Sequence, residues 1–176
     1  MNARLAILAI LVTAVIAGGG LYYLQVYAFY SPVTAARVAE VQLVSVATGK
    51  PELIAFDNFN AIDSDSSPIR YRACFTTGVP IDVLKQTYQV YSDPEPLNAP
   101  RWFSCFNAQD IGAALEKGEA VAFHARDNLV YGVDRVAAIF PDGRGYEWNQ
   151  INACGAVVYN GDPAPEGCPP APEGLN

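Results

Sequence analysis

The residues of this chain that could do chemistry are few and far apart in sequence. His124 is the sole histidine, set in the run Ala122, Phe123, His124, Ala125, Arg126, with Asp127 and Asp134 downstream. An imidazole oriented by a carboxylate can act as a general base, so a hydrolase using His124 with Asp127 or Asp134 is the enzymatic reading. No Gly-x-Ser-x-Gly turn frames a nucleophile, and no Cys/His cluster lies near His124 in sequence to share a metal. A structural strand residue is the preferred reading of His124, and no catalytic, cofactor-binding or metal-ligating residue is assigned.

Asp63, Asp65 and Ser67 start like a calcium loop, in which alternating oxygens wrap a hard cation. The pattern then fails, because Pro68 stands where the sharp-turn glycine belongs and Cys74 where the bidentate Glu belongs. With Asp57 these residues read as a solvated polar loop. Arg70, Arg72 and Arg101, with Tyr71 and Trp102, could frame an anion or peptide site, the alternative being ordinary pairing with surface carboxylates. The strand-like run Tyr146, Glu147, Trp148, Asn149, Gln150 carries more amides than a half-buried strand needs. Arg70, Arg72, Trp148, Asn149 and Gln150 are therefore the candidate recognition surface, against the alternative that the amides satisfy backbone at a sheet edge. No phosphate-binding glycine loop is present, and no cofactor is implied.

The elements that must position these groups begin with a long apolar run. From Leu5 to Ala36 there is no charged side chain, and Leu5 to Leu24 is long enough as a helix to cross ~30 Å of hydrocarbon. Arg4 precedes it and the next basic residue is Arg37, so the positive-inside rule places the N-terminus in the cytoplasm and the rest outside. Tyr22, Tyr23, Tyr27, Phe29 and Tyr30 mark the exit interface, where amphipathic rings prefer the headgroup level. The competing reading is a secretory signal cleaved after Ala17, with Val15 and Ala17 as its small residues. Against cleavage, the apolar run continues well past that site. Gly18, Gly19 and Gly20 could let a second helix approach, although glycine is also simply tolerated in such helices.

The four cysteines, Cys74, Cys105, Cys154 and Cys168, all lie on the side that the charge rule places outside, where thiols oxidise to structural bridges. None forms a Cys-x-x-Cys pair. Of the three possible pairings, Cys74 with Cys105 and Cys154 with Cys168 is favoured. The second bridge would pin the Pro- and Gly-rich tail, and closing a loop of that length contributes ~3 kcal/mol on the chain-entropy model. The net charge of -7 disfavours nucleic acid as a partner.

Downstream, Val38 to Ala47, Leu53 to Phe56, Ile69 to Thr76, Ala120 to Ala125, Val133 to Phe140, Tyr146 to Asn152 and Ala156 to Tyr159 read as strands, and Asp57 to Pro68 as a loop. Pro80 opens a short helix through Thr87, and Asn107 caps another from Ala108 to Lys117 that stops at Gly118. The expected fold is α+β: an N-terminal transmembrane helix (1–30), one extracytoplasmic domain with a mostly antiparallel sheet and one or two packed helices (31–162), and a tail (163–176) held by a disulfide.

The strings LYYLQVYAFY, DSDSSPIRYRACF, YGVDRV and DGRGYEWNQINACG, with the later EGCPP, resemble a family of uncharacterised short envelope proteins of alphaproteobacteria. The resemblance spans nearly the whole chain and implies an anchor and an envelope location, but no activity. Members are at times labelled histidine kinase, which the residues here contradict: His124 lies in a strand-like run, and no nucleotide-binding glycine boxes follow. The expectation is a membrane-tethered, non-catalytic accessory or binding module. It would be held in the inner membrane through Leu5 to Leu24, with its domain in the periplasm and a protein partner in a membrane complex.

Overall fold

An uninterrupted apolar stretch with no acidic residue and only Arg4 as a base has nothing to break a helix. In the computed structural model, which describes residues 3–33 and 40–174, it forms α1 (Ala3–Tyr23) and continues without a break as a wider, π-type turn over Leu24–Ala28. None of its side chains is buried against the domain, and its mean hydropathy is 2.3 over a window of the 26-residue helix. At ~1.5 Å per residue it exceeds the ~30 Å of a bilayer core, so among the described residues there is one helix long and apolar enough to cross a membrane.

Two residues later the chain enters the sheet. Ser31–Pro32 (β1) lies antiparallel against Asp57–Asp63 (β4), which is followed across the sheet by Arg72–Thr76 (β5), Arg144–Ile151 (β8), Val133–Ile139 (β7) and Val121–Val130 (β6), every pair antiparallel. A small second sheet pairs Gln42–Val44 (β2) with Pro51–Leu53 (β3). The segment Tyr88–Tyr91 joins the two: the Gln89 N–H donates to Val44 O at 2.8 Å, and Gln89 O accepts from the His124 N–H at 3.0 Å. The domain's helices are Ile81–Thr87 (α2), Ala108–Glu116 (α3) and Ala153–Val158 (α4).

Both faces of the main sheet are covered, which explains its apolar density. On one face Ile62, Cys74, Val136, Ala138, Ala122 and Trp148 pack under Tyr91, Phe103, Phe106 and α3's Ile111. On the other, Phe75, Phe123, Ala137 and Ile139 meet β2's Leu43 and α2's Leu84. Asn107 caps α3, its side chain accepting from the N–H groups of Gln109 and Asp110, and Gly118 ends that region with φ +71°. Tyr131 and Gly132 turn β6 into β7. Gly132 has φ +74°, and a β-carbon on it would overlap the backbone of Gly155 in α4.

The expected α+β class is the observed one, with four departures in detail. The strand expected over Leu53 to Phe56 is displaced to Pro51–Leu53 (β3), where pairing with β2 sets its bounds, and residues 54–56 lie outside any strand. Asp57–Asp63 is a strand rather than a loop. Its polar residues sit at the ragged end of β4, where the register with β5 slips between Asp57 and Asn60 and Asn58 takes φ 53° to form the bulge. The run from Ala156 is helical, because Asn152 caps α4 through the Gly155 N–H at 3.0 Å and the apolar spacing there serves a single turn. The strand expected over Val38 to Ala47 shrinks to β2, with residues 38 and 39 outside the described residues.

The disulfides join Cys74 to Cys105 and Cys154 to Cys168. The first ties β5 to the segment before α3. The second holds the tail to α4, aided by the Tyr131 hydroxyl donating to Pro169 O at 3.0 Å.

Candidate functional site

The alternation of a strand sends Trp148 and Gln150 to one face of the sheet and Glu147 and Asn149 to the other. Trp148 is fully buried, and its indole N–H donates to Gln150 Oε1 at 2.9 Å. Gln150 also accepts from the Glu95 N–H at 2.8 Å and donates to Asp93 O at 3.0 Å, so it fastens the proline-rich segment that covers that face. Arg72 is buried and donates to four carbonyls, those of Leu97, Asn98, Ile69 and Tyr71, with burial drawing its pKa down to about 10. Asn149 donates to Pro68 O at 2.7 Å.

The expected recognition surface of Arg70, Arg72, Trp148, Asn149 and Gln150 is therefore an interior in four of its five members. Two covered faces demand polar side chains that satisfy the carbonyls and amides of the covering loops, and these residues do that. Arg70 alone is partly exposed, its guanidinium 5.5 Å from the centre of the Tyr30 ring.

On the opposite face a polar cluster interrupts the apolar core. Glu147 lies between Ala73 and Ala137 on the neighbouring strands and has no exposure. Its Oε2 accepts from the Tyr71 hydroxyl at 3.1 Å, while Oε1 has no hydrogen-bond partner among the described residues. Burial raises the Glu147 carboxyl to about 7 against the opposing pull of Arg135 and the Tyr71 hydroxyl. The same burial, with the Glu147 charge beside it, pushes the Tyr71 hydroxyl well above its ordinary value. Arg135 lies over the Tyr71 ring, 3.6 Å from its centre, and its Nε donates to Asn149 Oδ1 at 2.9 Å.

Arg135 and Tyr71 also form part of the wall of a cavity of about 600 Å³, closed on other sides by Ala28 and Phe29 of the helix end, by β1, and by the Asp63 to Ser66 turn. Asp63 accepts from the Ser64 N–H at 2.8 Å, and burial raises its carboxyl above its ordinary value despite that bond and Arg135. Asp63 and Asp65 thus share this wall, while Asp57 stands at the far end of β4. No group of three or more His, Cys, Asp and Glu gathers into a metal-binding set among the described residues.

The cavity adjoins the point where the domain meets its helix. Trp102 Nε1 donates to Val26 O at 2.7 Å, taking one of the last-turn carbonyls that lack an intrahelical donor. Its ring stacks on Tyr27 and meets Tyr30 edge-on. Sequence reasoning named Trp102 but not this role. It did not single out Glu147 or Arg135, although a carboxylate between Tyr146 and Trp148 in an apolar strand is the pattern that announces a buried charge.

His124 is brought together with one of the two carboxylates expected beside it, Asp127, while among the described residues Asp134 is linked to it only through Tyr91. Its Nδ1 lies 2.6 Å from Asp127 Oδ1, both partly exposed. The Tyr91 ring packs 4.5 Å from the imidazole, and the Tyr91 hydroxyl donates to Asp134 Oδ2 at 3.2 Å. Asp134 is further held by the Asn128 N–H and the Asn152 amide. No hydroxyl or thiol hydrogen-bonds to His124 among the described residues, so the group has a base and its orienting carboxylate without an aligned nucleophile.

Residues 41–169 match the model of a family described as a family of unknown function (DUF6446). No curated protein and no solved structure matches the chain.

Proposed function

We propose, for a chain that belongs to the DUF6446 family of unknown function, that it is a membrane-tethered accessory or binding module without catalytic activity, acting on or within a membrane complex. The helix crosses the inner membrane once, the domain lies in the periplasm, and the cavity at their junction is the binding site. The observation that carries this reading is the clamp of Trp102 on Val26, which holds the domain against the end of the helix that is long and apolar enough to cross a membrane, beside the cavity walled by Ala28 and Phe29. The two disulfides support it, since such bridges suggest an oxidising compartment. Crosslinking of the intact chain in membranes, followed by extraction in mild detergent and mass spectrometry, tests it. A recurrent partner at constant stoichiometry is expected, and a monomer with no recurrent partner overturns the complex.

A second reading, an envelope hydrolase, is favoured by the His124–Asp127 pair with Tyr91 and Asp134 behind it. His124→Ala would abolish such an activity. If every measurable phenotype survives that change, this reading ends.

A further inference from the structure

We propose that the junction cavity holds the headgroup of a phospholipid bearing a primary ammonium, its phosphate on Arg135 and its ammonium on Asp63 and Asp65. The inference rests on the reading of a domain held at the bilayer surface.

Arg135 is prepared for an anion. Guanidinium has five N–H donors in a rigid fork, and here the Nε–H is spent on Asn149 while the Tyr71 ring supports the plane from below. Its Nη groups have no hydrogen-bond acceptor among the described residues, which leaves the edge that takes a phosphate through two parallel bonds. Glu147 lies behind Tyr71, fully buried, with an unsatisfied oxygen, so the guanidinium is held between a buried carboxyl and the open cavity.

A plain anion does not fit the rest of the wall. Among the described residues Asp63 and Asp65 bring two carboxylates against one guanidinium, and the Asp63 carboxylate, partly buried, accepts from the Ser64 N–H alone. A ligand carrying positive charge a short spacer away from its phosphate answers both groups. A primary ammonium has three N–H donors for carboxylate and serine oxygens, whereas a trimethylated one has none and calls for an aromatic cage. Among the described residues two aromatic side chains line the cavity, which is too few for a cage: the face of Tyr71 is already covered by Arg135, and Phe29 stands at the helix end.

Location selects the source of the headgroup. Ala28 and Phe29 form one wall, and they end the helix that is long and apolar enough to cross a membrane. The ring of Tyr22, Tyr23 and Tyr27 lies just before them, at the level where such side chains meet headgroups. A lipid of the surrounding leaflet can place its headgroup in the cavity while its chains remain in the bilayer.

The test uses the full chain in nanodiscs containing equal parts of phosphatidylethanolamine, phosphatidylcholine and phosphatidylglycerol, released for native mass spectrometry. One retained phosphatidylethanolamine per chain is expected. Arg135→Gln and Asp63→Asn should each lower its retention about tenfold, the scale of one charge-assisted contact, while Lys85→Gln on exposed α2 leaves it unchanged. Equal retention of phosphatidylcholine, or preference for phosphatidylglycerol, overturns the proposal without any variant having to fold. Soluble phosphoethanolamine bound in discs that retain no phosphatidylethanolamine overturns the lipid source. Alkaline extraction separates the two layers of the argument: a chain released from membranes refutes the tether itself, and one that stays embedded but selects no lipid refutes only the headgroup site.

Discussion

Glutamine in place of Glu147 keeps the shape of the side chain and the acceptor for Tyr71 while removing an ionisable group that has no exposure. The magnitude follows from the carboxyl's rise from 4.5 to about 7. Between those values the folded protein holds a proton that the unfolded chain has released, so stability falls as pH rises through this window. The contribution is fully present below about pH 4.5 and lost above about pH 7. A rise of that size is worth about 3 kcal/mol. Urea unfolding of the full chain with its disulfides intact, followed by the summed fluorescence of Trp102 and buried Trp148 from about pH 4 to pH 8, reads it directly. Glu147→Gln should lie progressively above wild type as pH increases, gaining about 3 kcal/mol relative to their difference at the acid end. Parallel pH profiles for the two proteins would refute the reasoning, because they would mean that Glu147 ionises alike in the folded and unfolded chains.

Trp102→Phe keeps an aromatic ring beside Tyr27 but deletes the donor to Val26 O, and should cost about 1 kcal/mol, seen as faster hydrogen exchange at Tyr27 to Tyr30 with the domain core unchanged. Asn107→Ala removes the cap of α3 and should cost about 1 kcal/mol, lowering the urea midpoint without altering the slope. Replacing Cys154 and Cys168 together by alanine should cost about 3 kcal/mol and expose the tail to proteases before the rest of the domain, and equal resistance would show that other contacts hold it.

Where the chain's own local signals decide, the sequence was legible. Leu5 to Leu24, the Asn107 cap with Gly118, and the hairpin strands after Ala120 announce themselves by hydropathy, by a capping side chain and by β-branched composition. The disulfide partners were legible too, since Cys168 sits in a tail with little else to hold it. Two assignments, one of a loop and one of a strand, failed for one reason, that local polarity and tertiary role diverge. Asp57–Asp63 looks like a loop because its polar residues occupy a bulged, partly uncovered strand, and Ala156–Tyr159 looks like a strand because Asn152's role as a cap shows only when the turn forms. The candidate recognition surface failed similarly. Amides and arginines read as outward-facing unless both faces of the sheet are known to be covered, and that coverage comes from the segment between Tyr91 and Phe106, remote in sequence from β8. The junction cavity was out of reach, for it needs the helix end, β1, the end of β4, Tyr71 just before β5, and β7 in one place.

The helix and the domain are coupled by more than a tether. Only Phe29 and Tyr30 separate the π-type turn from β1, and β1 is already hydrogen-bonded to β4, with Ser31 opposite Asp63 and Pro32 opposite Ile62. The chain thus enters the wall of the cavity directly from the helix, while Trp102 grips the same helix end from the segment before α3. A flexible Gly-Ser insertion between Tyr30 and Ser31 should break this two-point attachment. It would leave the sheet's core from β4 to β6 intact and free Trp102 from Val26, and the cavity would lose the wall formed by Ala28 and Phe29. Spin labels on the helix end and on Lys85 of α2 would report it as a broadened distance distribution, with hydrogen-exchange protection of β5, β8 and β7 unchanged. An insertion that leaves that distribution narrow would place the coupling in Trp102 alone, and combining it with Trp102→Phe should then release the domain.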